Sequence, residues 1–151
     1  MARAPFQVLV IPYLQNGANS KFAVLKGSDG VTRQFIAGGG EDAEDPYQAA
    51  KREAFEEAAI QAGTWVALDS KASIPRKHFP KARHWGPEIF VITEHAFGVK
   101  VGGPDLILSR EHSECEWLTK EEADAVLTYD SNRVALWELC ERLKTPGMTH
   151  P

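Results

Sequence analysis

The sequence predicts an α/β fold of the α+β kind: a mixed sheet packed between helices, in one domain spanning residues 1–151. Three observations carry that expectation. Runs of β-branched and apolar residues alternate with helical patterns along the chain. Turns bearing glycine or proline separate them. A length of 151 residues suits one core and leaves little room for two.

The elements follow in order. Residues 6–13, FQVLVIPY, read as a buried strand. Asn16-Gly17 signals a hairpin into a second strand at about Lys21–Lys26. The turn Gly27-Ser28-Asp29-Gly30 leads to a short strand around Gln34–Ile36, and three glycines follow, Gly38 to Gly40. Asp45 is a natural N-cap, with Pro46 where proline is tolerated at the first helical position. That helix is expected to run to about Gln61, with Gly63 as its stop. Strands are expected near Trp65–Ala72 and Ile89–Val101, followed by a turn at Gly102-Gly103-Pro104, and again at about Cys115–Leu118. Thr119 and Glu122 form a capping box for a short helix over residues 120–126. A last helix runs from about Asn132 to Leu143, with Ser131 as its cap and Pro146-Gly147 just past its end.

Composition narrows the function classes. Apolar residues make up 43% and charged residues 25%, which excludes a disordered tail, a collagen-like fibre and a disulfide scaffold. The longest apolar run, QVLVIPYL, is too short to span a bilayer and holds a proline. The start, MARAPFQ, lacks the apolar stretch of a secretory leader, so a cytoplasmic protein is expected. Cys115 and Cys140 then read as reduced thiols. With 17 Lys+Arg against 21 Asp+Glu, the net charge of −4 disfavours duplex nucleic acid as a partner. It leaves room for a small phosphorylated ligand, because a bound metal can reverse the local charge.

The informative stretch is GGGEDAEDPYQAAKREAFEEAAI, residues 38–60. On a helical wheel Glu53, Glu56 and Glu57 fall within an arc of roughly 100°. Tyr47, Ala54, Phe55 and Ala58 fall opposite, as a face that would pack on the sheet. Carboxylates at i and i+4 repel one another by a few tenths of a kcal/mol, roughly, in an isolated helix. A stable helix tolerates them as a solvated face or uses them to bind hard cations such as Mg²⁺.

The spacing resembles the Nudix box, G-x5-E-x7-R-E-U-x-E-E-x-G-U, where U is a bulky aliphatic. Gly38, Glu44, Arg52, Glu53, Glu56 and Glu57 occupy its core positions. Ala54 replaces the larger aliphatic, Ala59 stands where glycine is usual, and Ile60 keeps the last position. The resemblance implies a Nudix fold, an α/β/α sandwich, and a hydrolase that cleaves a nucleoside diphosphate linked to another group, with Mg²⁺ or Mn²⁺. Carried over by position, Glu53, Glu56 and Glu57 are metal ligands and catalytic acids, and the carbonyl near Gly38 adds another ligand. Arg52 holds the acids in place, through Glu44. The base is left open between Glu56, Glu53 and an acid from outside the helix.

Glu111, in EHSECEWL, is the choice for that outside acid and a further metal ligand, with Glu94 as its rival. The order E-H-x4-W-L, a short helix, then SNR is similar to dihydroneopterin triphosphate pyrophosphatases. APFQVLVIPY, QFIAGGGED, ASIP and HWGPEIFVITEHAFGV resemble bacterial Nudix proteins described as dATP pyrophosphohydrolases. The implied substrate is a purine-like nucleoside triphosphate or a pterin triphosphate, cut to a monophosphate and pyrophosphate. ADP-ribose, a nucleotide sugar or a dinucleoside polyphosphate is the alternative, and a non-catalytic nucleotide sensor is the alternative class. Family habit implies a homodimer.

Residues 71–86 carry Lys71, Arg76, Lys77, Lys81 and Arg83 with no acid, interleaved with His78, Phe79, His84 and Trp85. Such a loop can hold phosphates and stack on a base. Arg76, Lys77, Lys81, Arg83 and Trp85, with Phe35 before the glycines, are therefore the candidate substrate-binding residues. A mobile surface loop or a dimer contact, and for Phe35 core packing, is the competing reading. His112 and Cys115 have H-x-x-C spacing without a second pair to complete a zinc site. Trp117, Trp137 and Leu139 read as core.

Overall fold

The computed structural model describes residues 2–16, 19–80 and 82–144. Its elements are β1 (Arg3–Leu14), β2 (Lys21–Gly27), β3 (Arg33–Gln34), β4 (Ile36–Glu41), α1 (Pro46–Ala58), β5 (Thr64–Pro75), β6 (Val91–Lys100), β7 (His112–Leu118), α2 (Lys120–Val126) and α3 (Asp130–Lys144). The expected Gly17 turn and the Pro146-Gly147 stop lie outside the described residues.

All seven strands join one mixed sheet with the path β3-β2-β1-β6-β5, while β4 pairs with β1 and β7 with β2. β1 is its axis. It runs parallel to β6 from Phe6↔Thr93 to Tyr13↔Lys100 and antiparallel to β4 on its other edge. Its middle, Val8 to Ile11, is at most 1% exposed, because helices cover both faces. The period of two sorts those residues. Leu9, Ile11 and Tyr13 join a core with Leu136 and Leu139 of α3, and Val8 and Val10 join a second core with Ala49, Ala50, Ala54 and Ala58 of α1. The expected α/β/α sandwich is the observed one.

Helix α1 starts as the sequence predicts. Asp45 Oδ1 accepts from the Gln48 amide at 2.8 Å, Gln48 Oε1 accepts from the Asp45 amide at 2.9 Å, and Pro46 opens the helix. It ends three residues earlier than expected. Ala59 takes a left-handed conformation (φ 55°, ψ 33°), and its amide donates to Phe55 while that of Ile60 donates to Ala54. The exit keeps the backbone form that glycine favours, with alanine bearing the strain.

Other corrections have local causes. The face of α1 that meets the sheet is made largely of alanines: Tyr47, 43% exposed, still packs its ring on Trp65 of β5 and Phe97 of β6, with centroids 5.8 Å and 6.1 Å away, whereas Phe55 is 51% exposed. Small side chains let the helix sit close, and the large rings are pushed to its flank. The last helix begins at Asp130, so Ser131 lies inside its first turn and does not cap it. Leu139 is fully buried, as expected, but Trp137 is 56% exposed on the outer side of α3. Strand β7 begins at His112, three residues before the expected start, because its pairing with β2 extends to Gly27↔His112. Among the described residues no helix is long and apolar enough to cross a membrane.

Candidate active site

The three glycines of β4 let side chains approach the strand closely. A Cβ on Gly38 would lie 2.1 Å from the Glu53 carboxyl carbon, and one on Gly39 would lie 2.0 Å from Arg3 Nε. Contacts that short do not exist between real side chains, so α1 can lay Glu53 on the strand only because Gly38 is bare.

Arg52 organises the acids around that contact. Its Nε donates to Glu44 Oε2 at 2.8 Å, and its Nη2 to Glu44 Oε1 at 3.0 Å and to the Gly39 carbonyl at 2.7 Å. Nη1 reaches Glu53 at 2.9 Å and Glu56 at 3.0 Å. The predicted Arg52–Glu44 pair is thus present and bidentate, and it ties α1 to both the β4 strand and the loop before the helix. These acids raise the Arg52 pKa, Glu44 foremost, and Arg52 in turn lowers that of Glu44.

One turn on, Glu57 is 3% exposed. His112 Nε2 lies 2.6 Å from Glu57 Oε1, and the Ala37 amide faces the same carboxyl. The last carbonyls of α1 hold the following loop: Ser109 donates to Glu57 and Ile107 to Ala58. That anchorage delivers residues 111 and 112. Glu57, Glu111 and His112 offer three ligand-type atoms within 4.8 Å of one another. Of the two outside acids, Glu111 therefore joins Glu57, whereas Glu94 lies across the cavity, bonded to Gln7 Nε2 at 2.7 Å. Glu56 is the outermost of the helix acids, its side chain 54% exposed.

Burial shapes the electrostatics. It pushes Glu53 up to about 8, assisted by Glu57, and Glu57 up to about 7, assisted by Glu111. It lowers His112, whose neutral ring can donate from Nε2 to Glu57 and leaves Nδ1 buried without a partner. Two desolvated carboxyls side by side, with a third within reach, are an all-oxygen donor set that fits a hard divalent cation. Glu53, Glu57 and Glu111 would hold it, with Glu56 at the mouth.

Glu53, Glu57 and Glu111 line one end of a cavity of about 810 Å³. Its other end is made by Ile74 and Pro75 of β5 with His78 and Phe79 of the turn after it, and Tyr129, Ser131 and Asn132 at the start of α3 form a further wall, tied by Asn132 to Phe35 beside β4. Arg3, Gln7 and Glu94 lie between. Sequence reasoning missed Arg3, Gln7, Asn132 and His112. A signal existed for Gln7, a polar residue heading an apolar strand, and for Asn132, whose Oδ1 accepts from the Phe35 amide at 2.9 Å. Nothing in the local pattern marked Arg3, whereas His112 stands beside Glu111 in the E-H-x4-W-L order and is read from the sequence only for its spacing to Cys115.

Five of the six candidate substrate-binding residues fall elsewhere, and the sixth, Lys81, lies outside the described residues. Phe35 is fully buried in the core with α3. Arg76 spends its guanidinium on four backbone carbonyls, those of Gly86, Ile89, Ala82 and Trp85, and so staples its own loop. Trp85 is 5% exposed and donates from Nε1 to the Arg3 carbonyl at 2.8 Å. Lys77 and Arg83 do not line the cavity. The loop is a small core of Ala82, Trp85 and Ile92 with Phe79 and Ile74, and among its described residues it presents His78 and Phe79, not Arg76, Lys77 or Arg83, to the cavity.

Comparison with known proteins agrees with this geometry. The family model for the NUDIX domain matches residues 6–137. A NUDIX hydrolase from Listeria monocytogenes has a crystal structure with a TM-score of 0.86 and 41% identity, covering 98% of this chain and 99% of that one. The E. coli dihydroneopterin triphosphate pyrophosphohydrolase is similar with a TM-score of 0.75 and 25% identity, covering 94% and 99%. A C. elegans Ap4A hydrolase shares the fold at a TM-score of 0.71 and 20% identity, over 94% and 99%. No protein of curated function matches the chain by sequence. With the Arg52-centred acids on α1 laid against Gly38 and the family model matched along most of its length, the chain belongs to the NUDIX family and is a pyrophosphohydrolase.

Proposed function

We propose that the chain works as one domain in the cytoplasm and hydrolyses a nucleoside triphosphate or dihydroneopterin triphosphate to the monophosphate and pyrophosphate, with Mg²⁺ or Mn²⁺. The observation that carries this reading is the two-ended cavity. An acidic end suited to metal-bound phosphates faces an end walled by Phe79, Ile74 and Pro75, suited to a flat heterocycle, and Tyr129 adds an aromatic ring to the wall. The 25% identity to a dihydroneopterin triphosphate pyrophosphohydrolase supports the pterin arm.

A bound divalent cation supplies charge neutralisation on the phosphate oxygens and a more acidic water. The protein supplies the rest. Glu53, Glu57, Glu111 and Glu56, with the Gly38 carbonyl, would provide its oxygen ligands. Arg52 keeps Glu53 and Glu56 from swinging away. His112 fixes the Glu57 rotamer through its 2.6 Å contact. Arg3, with its guanidinium 4.7 Å from the Phe79 ring centroid, is the cation placed to meet the phosphates between the two ends. Hydrolysis adds water across one phosphoric anhydride bond, and the proton it sheds goes to a carboxylate of this set.

The test is release of pyrophosphate against orthophosphate from dNTPs, dihydroneopterin triphosphate, ADP-ribose and a dinucleoside polyphosphate with Mg²⁺. Pyrophosphate from a triphosphate is the expected result. Turnover of ADP-ribose or the dinucleotide alone would replace the substrate class and keep the family chemistry.

A further inference from the structure

Gly39, Gln7 and Glu94 are partners in a row across β4, β1 and β6. Directly opposed residues point to the same face, and strands lie ~4.8 Å apart, so Glu94 stands roughly 10 Å across the sheet from the glycine strand that holds Glu53. Its carboxyl is 6% exposed and lines the cavity. Oε2 accepts from Gln7 Nε2, whose own Oε1 accepts from Arg3, and the Ser131 hydroxyl faces the same group. Among the described residues no cation forms an ion pair with it. A buried carboxyl without a countercharge costs stability unless something else uses it.

We infer that Glu94, oriented by Gln7, reads the base of the substrate and selects a heterocycle with a ring N–H beside an exocyclic amino group, the edge shared by guanine and 2-amino-4-oxopteridines. The inference rests on the proposed triphosphate hydrolysis and narrows its substrate. A carboxylate offers two acceptors side by side, and that edge offers two donors at matching separation. Adenine sets a ring acceptor beside its amino group, so its lone pair would face the carboxylate. Pyrophosphate bound at the acidic end and a heterocycle at Glu94 are spanned by the sugar or side chain between them. Burial raises the Glu94 pKa, and two incoming N–H donors restore the charged form that burial disfavours.

The decisive pair is dGMP and dIMP, which differ only in the 2-amino group. Calorimetric titration should show dGMP bound ~10–100-fold more tightly, the range for one hydrogen bond to a charged group. In Glu94→Gln, which presents an amide N–H where the base donates, the ratio should collapse to within ~3-fold, with a cooperative melting curve at or above that of the unaltered protein as the control for folding. Equal binding of the two nucleotides by the unaltered protein, or a ratio that survives Glu94→Gln, overturns the assignment. Hydrolysis separates the two ideas: a dGMP preference without turnover of any triphosphate keeps the assignment and refutes the proposed function. Turnover confined to dATP refutes the assignment and keeps the function. Comparing kcat/KM for dGTP and dihydroneopterin triphosphate then tells which bearer of the edge is the substrate.

Discussion

Metal affinity should depend steeply on pH, for a reason visible in the burial of Glu53 and Glu57. Both carboxyls must lose their protons before they can ligate a cation, and in the metal-free fold they lose them only at about 8 and about 7. At pH 6 a group titrating at about 7 is about 90% protonated, and one at about 8 is about 99% protonated. Clearing both therefore weakens binding on the order of 1000-fold at pH 6, against about twofold at pH 8. Apparent Mg²⁺ or Mn²⁺ affinity should drop by roughly 10²–10³-fold between those pH values. Ordinary solvated carboxyls, titrating near 4.5, would change it by less than about 1.1-fold.

Titration calorimetry in two buffers of different ionisation enthalpy reads the same effect as about 1.4 protons released per ion at pH 7. Stability has the opposite sign and serves as a cross-check. A carboxyl whose folded pKa lies above its unfolded value adds stability that is complete below about 4.5 and lost as pH rises through about 7 to 8. The metal-free protein should therefore melt lower at pH 8 than at pH 6, and added Mg²⁺ should raise its melting temperature more at pH 8. A metal affinity that changes less than about threefold over this range would refute the claim that burial, and not simple charge counting, sets the site.

Four substitutions test other parts of the design. Glu57→Gln should cut kcat by ~10²-fold or more, while the metal-free protein melts higher at pH 8 because a buried charge is gone; near-normal turnover would remove Glu57 from the site. Gly38→Ala should evict Glu53 from its seat 2.1 Å from the new methyl, and a circular dichroism spectrum that stays native beside a ~10²-fold loss of activity is the expected pair of readings. Ala59→Gly should stabilise the protein by ~0.5–1 kcal/mol, the left-handed strain less the added freedom of the unfolded chain, seen as a rise of a few degrees in melting temperature. Arg76→Ala should leave four carbonyls of the 76–90 loop without their donor, so limited proteolysis should cut there first, and KM should rise more than kcat falls.

What the sequence revealed and what it hid divide along physical lines. Caps are local, so Asp45 with Pro46 and Thr119 with Glu122 are read correctly from a few adjacent residues. The acidic face of α1 is legible from helical spacing, and Arg52 with Glu44 from the box. Depth is not local. Glu57 is buried while Phe55 is half exposed because the helix meets the sheet through Ala50, Ala54 and Ala58, and hydrophobicity alone ranks those residues in the wrong order. The basic loop misleads for a similar reason. Its charges invite a phosphate, yet the loop closes on itself, and Arg76 is consumed as the donor that its carbonyls need. Arg3 carries no mark of a site residue, and Gln7 only that of a polar residue heading an apolar strand, until the register of β1 with β4 and β6 sets them between the two ends of the cavity.

The charge of that cavity constrains how a substrate enters. Among the described residues Arg3 is the one arginine or lysine on its walls, against Glu53, Glu57, Glu94, Glu111 and Asp130. A bare triphosphate carrying about four negative charges would meet net repulsion there, and one guanidinium, itself held by Gln7 and stacked on Phe79, does not offset it. The same acids become an asset once divalent cations accompany the phosphates, because each then has a partner. Arg52 explains why the protein can hold so many acids together beforehand. Its guanidinium satisfies Glu44, Glu53 and Glu56 at once, and the residual cost is concentrated on Glu57 and Glu53, the two carboxyls whose pKa values rise furthest. The energetic tension left in the metal-free fold thus sits where the proposed chemistry needs a cation, while Glu94, the other buried acid among the described residues, stands outside that cluster as the group proposed to read the base.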